Sequence, residues 1–475
     1  SSFGTSKAAF APFPNAAHPW SSRRHGLGML HAAVAAATAA AFAGATAFPQ
    51  DPDVRIYFYD VPTCARDGAL DAFRAEGSGS SSGVSHGTAA LTSAEVFHLR
   101  GMLQQIFAVE NHLEKTHRVK TAEEASLFYI PAYFPLLFWL DQRTGLPGEA
   151  QHLACINETF RLLERLPYLS RNAGYDHVIL YGYEYPHWKR LSHLVLDTYS
   201  PFAANALLLA VSLWNQGRRS ALLGAGLYSQ TRVIAIPYFA TWDCGFEAQM
   251  FQQPRDIVVA FVGSVKDRPP FFVFRERLLV AGAVERMPLV NDSRIQLNVF
   301  PADDDQRYTF ARNYEAERKL LYAQSDFCLV MPGDGNTAGR LFDVLMAGCV
   351  PVLLFHPDSY PVVPFASRLP WREFAIARSV ATEEDAAAAL TSLLEMPPDD
   401  RARYRRRAMA YAPFLALELK RCPPEAPSAL SMISAELRDR VELLRNHFLP
   451  SLNAFTLPVR SEDWLCWGPS CKLSA

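Results

Sequence analysis

The chain has 475 residues, 49% of them hydrophobic and 20% charged, and that length exceeds what one hydrophobic core supports, so two domains with appendages are expected. A formal net charge of −2 with no Lys/Arg stripe supplies no field to gather nucleic acid and argues against it as a partner.

Near the start, Arg23, Arg24 and His25 precede a run from Gly26 to Phe48 without Asp, Glu, Lys or Arg, about one bilayer span in length. Basic residues ahead of an apolar run favour a type II membrane anchor with the remainder in the lumen. Its Ala-rich composition keeps three other readings open: a signal peptide cleaved near Ala45-Thr46-Ala47, an organelle transit peptide, or a disordered tail.

Beyond it, short β-rich runs alternate with helical patterns, which predicts parallel sheets covered by helices. Strands are expected at Val54–Tyr59, Leu127–Ile130, Val178–Tyr181 and Val233–Ile236, with a helix over Ala94–Glu114 and a Gly/Ser loop over Gly77–Gly83. A second series has strands at Ile257–Val262, Leu297–Phe300, Phe327–Met331 and Val350–Phe355. Helices are expected between them over Pro270–Leu279, Tyr314–Ala323 and after Gly339. Glu383–Leu394 and Arg401–Leu417 read as surface helices, and Glu436–Phe448 as a closing helix. The division expected is a tail (1–50), two α/β domains (51–250 and 251–420) and a Cys-containing end (421–475). Two such α/β series predict two doubly wound domains with a ligand beyond the strand ends, in a cleft between them.

Two sequons, at Asn157 and Asn291, are compatible with a lumenal location. Cys466 and Cys471 are spaced for a small disulfide loop, whereas Cys328 and Cys349, inside apolar runs, read as buried free thiols. No Cys/His spacing suggests zinc.

Chemistry concentrates in Ser325 to Leu354, where an apolar strand enters the loop Gly333-Asp334-Gly335-Asn336-Thr337, then a helix, then another apolar strand. A Gly-rich loop opening a helix leaves N–H groups free to meet an anion. Leu341, Val344, Leu345 and Gly348 share the face that packs on the sheet, so Arg340 and Asp343 project from the other side. The arginine fork can grip a diphosphate and the carboxylate can accept two ribose hydroxyls. On spacing alone, an ordinary Arg/Asp surface pair behind a turning loop stays open.

This passage resembles the signature of the exostosin family (glycosyltransferase family 47): S-x-F-C-L-x-P-x-G, S-x-R-x-x-[DE]-A and G-C-[IV]-P-V, with plant members similar at G-D-T-x-S-x-R-L-F-D-A. Here Gly333-Asp334, Thr337, Arg340-Leu341-Phe342-Asp343 and Gly348-Cys349-Val350-Pro351-Val352 carry the likeness, while Asn336, Ala338, Gly339 and Val344 depart from it. Similarity extends through Leu127-Phe128-Tyr129-Ile130-Pro131, Gly174-Tyr175-Asp176-His177, Val233 to Tyr238, and Arg255 with Phe261-Val262-Gly263. Pro364-Phe365 and Trp371-Arg372-Glu373-Phe374 continue it.

The resemblance implies a GT-B fold of two Rossmann-like domains facing a cleft, residues 51–250 for the acceptor and 251–420 for the nucleotide sugar, and an inverting transfer from a UDP-sugar to a polysaccharide or protein-linked glycan. It implies no tightly bound cofactor and no metal; Asp303-Asp304-Asp305 reads as solvated loop charge. Arg340 is expected to hold the leaving diphosphate, with Gly263, Arg268, Gly333, Asp334, Gly335, Thr337 and Asp343 completing donor binding. Asp176 and His177 are the motif-based candidates for the general base, with Asp60, Glu184 and His187 as others. The expected setting is the Golgi membrane, alone or in homo- or hetero-oligomers with other glycosyltransferases. Alternatives are a non-catalytic exostosin-like subunit and a two-Rossmann phosphorylase or epimerase.

Overall fold

The computed structural model describes residues 54–68, 70–71, 93–133, 148–180, 184–185, 206–213, 233–244, 255–265, 275–286, 294–301, 315–332, 338–357, 363–366 and 368–446. All lie in the compact unit Ala47–Ala475. The run Gly26–Phe48, Asn291, Asp303 to Asp305, Cys466 and Cys471 fall outside them. No helix among the described residues is long and apolar enough to cross a membrane.

The first half begins with β1 (Ile56–Phe58), α1 (Ser93–His117), β2 (Leu127–Ile130), α2 (Gly148–Arg165), α3 (Pro167–Arg171) and β3 (His177–Leu180). It continues with β4 (Glu184–Tyr185), β5 (Leu207–Ala210), β6 (Ser212–Leu213), β7 (Val233–Ala235) and β8 (Thr241–Asp243). Five strands form one parallel sheet in the order β1-β2-β3-β5-β7. β2, β3 and β5 are buried at every position, as near-continuous apolar runs covered on both faces must be. α2 and β5 were not anticipated, although Ile156, Phe160 and Leu163 bury a helical stripe.

The second half runs β9 (Ile257–Val265), α4 (Arg275–Arg286), β10 (Ile295–Pro301), α5 (Glu315–Ala323), β11 (Ser325–Val330), α6 (Arg340–Met346) and β12 (Val350–Phe355). Then come α7 (Trp371–Phe374), β13 (Ile376–Ser379), α8 (Glu383–Leu394), α9 (Pro398–Tyr411), β14 (Glu418–Lys420) and α10 (Ala429–Asn446). Its parallel sheet has the order β10-β9-β11-β12-β13, which reverses between β9 and β11. Two parallel α/β sheets are the GT-B arrangement that the sequence predicts. α8 is not a surface helix throughout, because Ala386, Ala389, Leu390 and Leu393 join the core made by β9, β11 and β12.

The closing segment returns to the first half. β14 pairs in parallel with β8, and a disulfide joins Cys244 to Cys422 just beyond them. On α10, buried Arg440 donates from Nε and Nη2 to the Tyr175 carbonyl at 3.2 and 3.0 Å. Ser434 lies between His112 Nε2 (2.9 Å) and His117 Nε2 (2.8 Å) of α1. Two further disulfides, Cys64–Cys155 and Cys328–Cys349, are present. The last corrects the expectation of free thiols: β11 and β12 are adjacent, with Cys328 opposite Pro351, so neighbouring parallel strands bring the two sulfurs together.

Candidate active site

The reversal between β9 and β11 is a topological switch point, where the loops leaving the two strands diverge and ligands bind in open α/β sheets. Because Cys328 is opposite Ala260, the end of β11 falls level with Val262 of β9. Arg340 sits at this level. Its Nε donates to the Val262 carbonyl at 2.9 Å, and its guanidinium lies 4.7 Å from the centre of the Phe261 ring. Its Nη1 is enclosed and has no hydrogen-bond partner among the described residues. Burial pushes the guanidinium below its ordinary pKa, and the Arg318 cation adds to this.

Gly263 is needed for this packing. A Cβ there would stand 2.8 Å from Arg340 Nη2 and 2.5 Å from Phe261 Cζ, closer than atoms tolerate. At Gly348 the reason is conformational: its φ of +67° lets α6 end in a Schellman turn. Cys349 N donates to Val344 O and Gly348 N to Leu345 O, both at 2.9 Å.

α6 spans only 7 residues, so its dipole is modest and the anion-binding role rests on the Arg340 charge more than on the helix terminus. Leu341, Val344 and Leu345, expected to face the sheet, are buried, and so is Phe342. Asp343 is ion-paired to Arg318 of α5 at 3.2 Å. Tyr322, one turn further along α5, is fully buried with an unpartnered hydroxyl, and Arg318 Nε is likewise enclosed and unpartnered. Gly333, Asp334, Gly335, Thr337 and Arg268 lie outside the described residues.

Sequence reasoning missed Arg277. From α4 it donates Nη2 to the Pro332 carbonyl at 2.9 Å, anchoring the chain where it leaves β11, and its guanidinium is 5.8 Å from the Phe261 ring. Neighbouring Glu276 accepts from the His356 N–H at 2.8 Å, tying the start of α4 to the end of β12. No motif singles out either residue; a charged pair opening a helix at the strand ends is the only signal. Tyr238, beyond β7 of the first half, packs 5.8 Å from Phe342 and lies beside Gly339, so the first half borders the start of α6.

The two motif-based base candidates lie inside the first half. Asp176 and His177 are both fully buried, and His177 opens β3, the end of a strand opposite to where ligands bind. His177 Nδ1 meets Asp176 Oδ1 and its Nε2 meets the Tyr59 hydroxyl, each at 2.8 Å. Asp176 Oδ2 accepts from Asn172 at 2.5 Å and Arg171 at 3.2 Å. Burial raises the Asp176 pKa, but the His177 contact, Asn172 and Arg171 outweigh it and hold the carboxyl below its ordinary value. The side-chain polar atoms of the pair are thus engaged by one another and by Tyr59, Asn172 and Arg171. Asp60, by contrast, is exposed just beyond β1. Glu184 opens β4, and His187 is outside the described residues.

The exostosin GT47 domain profile matches residues 50–395, almost three quarters of the chain. The chain belongs to the exostosin GT47 family. Within it, a probable glucuronosyltransferase of rice (Oryza sativa subsp. japonica) is 22% identical over 268 residues, 54% of this chain and 56% of that protein. Exostosin-1 of Drosophila melanogaster is 38% identical over 74 residues, 16% of this chain and 9% of its own length. The matched parts thus span little more than half of one relative and a small part of the other. Among solved structures, Anabaena HepE in complex with UDP overlaps 83% of this exostosin-family chain and 100% of its own, with 11% identity and a TM-score of 0.37. A glycosyltransferase from Rickettsia africae overlaps 83% and 99%, with 9% identity and a TM-score of 0.34.

Proposed function

We propose that the chain transfers a sugar from a UDP-sugar to a polysaccharide or protein-linked glycan, with inversion at the anomeric carbon. The observation that carries this is the enclosed Nη1 of Arg340 at the switch point, without a hydrogen-bond partner among the described residues, on a guanidinium that packs into the space left by Gly263. In the reaction the acceptor oxygen bonds to the anomeric carbon as the bond to the diphosphate breaks. The electron pair leaves on UDP, where Arg340 meets the developing charge, and the hydroxyl proton passes to a base from the first half. Asp60 is the exposed candidate among the described residues.

The family match and the three disulfides support an enzyme of an oxidising compartment, and we place it in the Golgi lumen behind a type II anchor. With Arg340 as the counter-charge, transfer proceeds without a metal, and activity that EDTA abolishes and manganese restores would overturn this point. Calorimetry with UDP, followed by UDP release over a panel of sugar donors and acceptor oligosaccharides, tests the whole reading. The burial of Asp176 and His177 favours one second reading, a donor-binding subunit without its own turnover. UDP binding with no release across the panel would select it.

A further inference from the structure

Three buried polar atoms without partners converge between α5 and α6: Arg318 Nε, the Tyr322 hydroxyl and Arg340 Nη1. Such atoms occur elsewhere among the described residues, mostly on arginines, but Tyr322 is the one tyrosine hydroxyl in that group, and it interacts with Arg340. Tyr322 is 0% exposed, so its hydroxyl gains nothing from water. A phenylalanine would fill the same volume without that loss, so the hydroxyl serves no purpose in packing. Tyr322 and Arg340 already interact directly, short of hydrogen-bond alignment, and both feel the charges of Arg318 and Asp343. Asp343 is held by Arg318 at 3.2 Å, which keeps this carboxylate from competing with an incoming anion for Arg340.

We propose that Tyr322 and Arg318 are positioning residues of the donor site. Tyr322 fixes the plane of the Arg340 fork, its hydroxyl accepting from Nη1 once a diphosphate draws the guanidinium into place, and Arg318 restrains Asp343. This rests on the reading of Arg340 as the diphosphate ligand. The hydroxyl is thus a cost to the ligand-free protein and a gain to the liganded one.

The test compares Tyr322→Phe, Arg340→Ala and wild type for UDP affinity by calorimetry and for Tm without ligand. Tyr322→Phe is expected to weaken UDP binding about tenfold, the worth of one charge-assisted hydrogen bond, while Tm holds or rises. The double substitution Tyr322→Phe/Arg340→Ala is expected to bind no more weakly than Arg340→Ala alone, because the tyrosine acts through the arginine. A Tyr322→Phe variant with lower Tm and wild-type UDP affinity would show a merely structural hydroxyl and overturn this inference, leaving Arg340 in its role. Equal UDP affinity in wild type and Arg340→Ala would overturn the Arg340 reading and this inference with it. Should Tyr322→Phe not accumulate, Arg318→Gln gives the same comparison: weaker UDP binding at unchanged Tm supports the proposal, and unchanged binding overturns it.

Discussion

Arg340 carries a fixed charge and a buried nitrogen, Nη1, with no hydrogen-bond partner among the described residues. Leaving such a donor unsatisfied costs roughly 1–3 kcal/mol, so Arg340→Ala is expected to keep or raise Tm. The same change removes a preorganised donor worth about 3–4 kcal/mol at the transition state, so UDP release should fall by a hundredfold or more. Near-normal turnover would take Arg340 out of the reaction. Asp176→Asn should behave in the opposite way, because it breaks a buried ionic network: stability in urea should drop by about 3–5 kcal/mol. Since the folded carboxyl titrates below its ordinary value of 3.8, its contribution is present above about pH 4 and fades as the pH falls further. The asparagine variant should lose that part of the acid sensitivity. At this scale the sequence pointed to where Arg340 and Gly263 meet, because a glycine strand end and a helix-opening arginine form a pattern. It gave no sign of burial: nothing in Gly174-Tyr175-Asp176-His177 reveals that Asn172, Arg171 and Tyr59 engage the pair.

Elements follow their local signals more faithfully. β12 and α8 have the boundaries that the apolar and helical patterns predict, Val350–Phe355 and Glu383–Leu394. α8 owes its sharp start to a capping box, in which Thr382 Oγ1 accepts from Asp385 N at 3.1 Å and Asp385 bonds back to Thr382 N at 3.0 Å. Thr382→Ala should therefore cost about 1 kcal/mol, read as a fall in urea midpoint at unchanged slope. β13 and β5, at 4 residues each, give no period to count, and unlike β2 and β3 of the same length neither lies in a family motif. The Cys328–Cys349 disulfide was invisible for another reason: only the adjacency of β11 and β12, a property of the sheet order, brings the two cysteines together.

At the scale of the whole molecule, α10 and α1 meet through an acid-sensitive contact. Burial, and then the neighbouring His117, lower the His112 pKa from 6.5 to about 4. The unfolded chain therefore binds this proton first, and stability falls as the pH drops from about 6.5 towards 4, by on the order of 2–3 kcal/mol. His112→Gln, which keeps a donor towards Ser434, should flatten that part of the Tm-against-pH curve; an unchanged slope would show that the contact carries none of it. The two-sheet organisation was legible from the alternation of strand and helix patterns. The return of the chain was not, because Arg440 meeting Tyr175 across 265 positions leaves no trace in local composition.

That return sets an order of events during synthesis. Since β8 finds its partner only in β14, and Cys244 only in Cys422, the β9–β13 sheet is strung as one large loop between the two ends of a clasp. The half that emerges first from the ribosome must wait for segments made 178 residues later before it is sealed. A premature stop ahead of Cys422 would therefore injure the beginning of the protein more than the part next to the break, and would leave Cys244 exposed to mispairing.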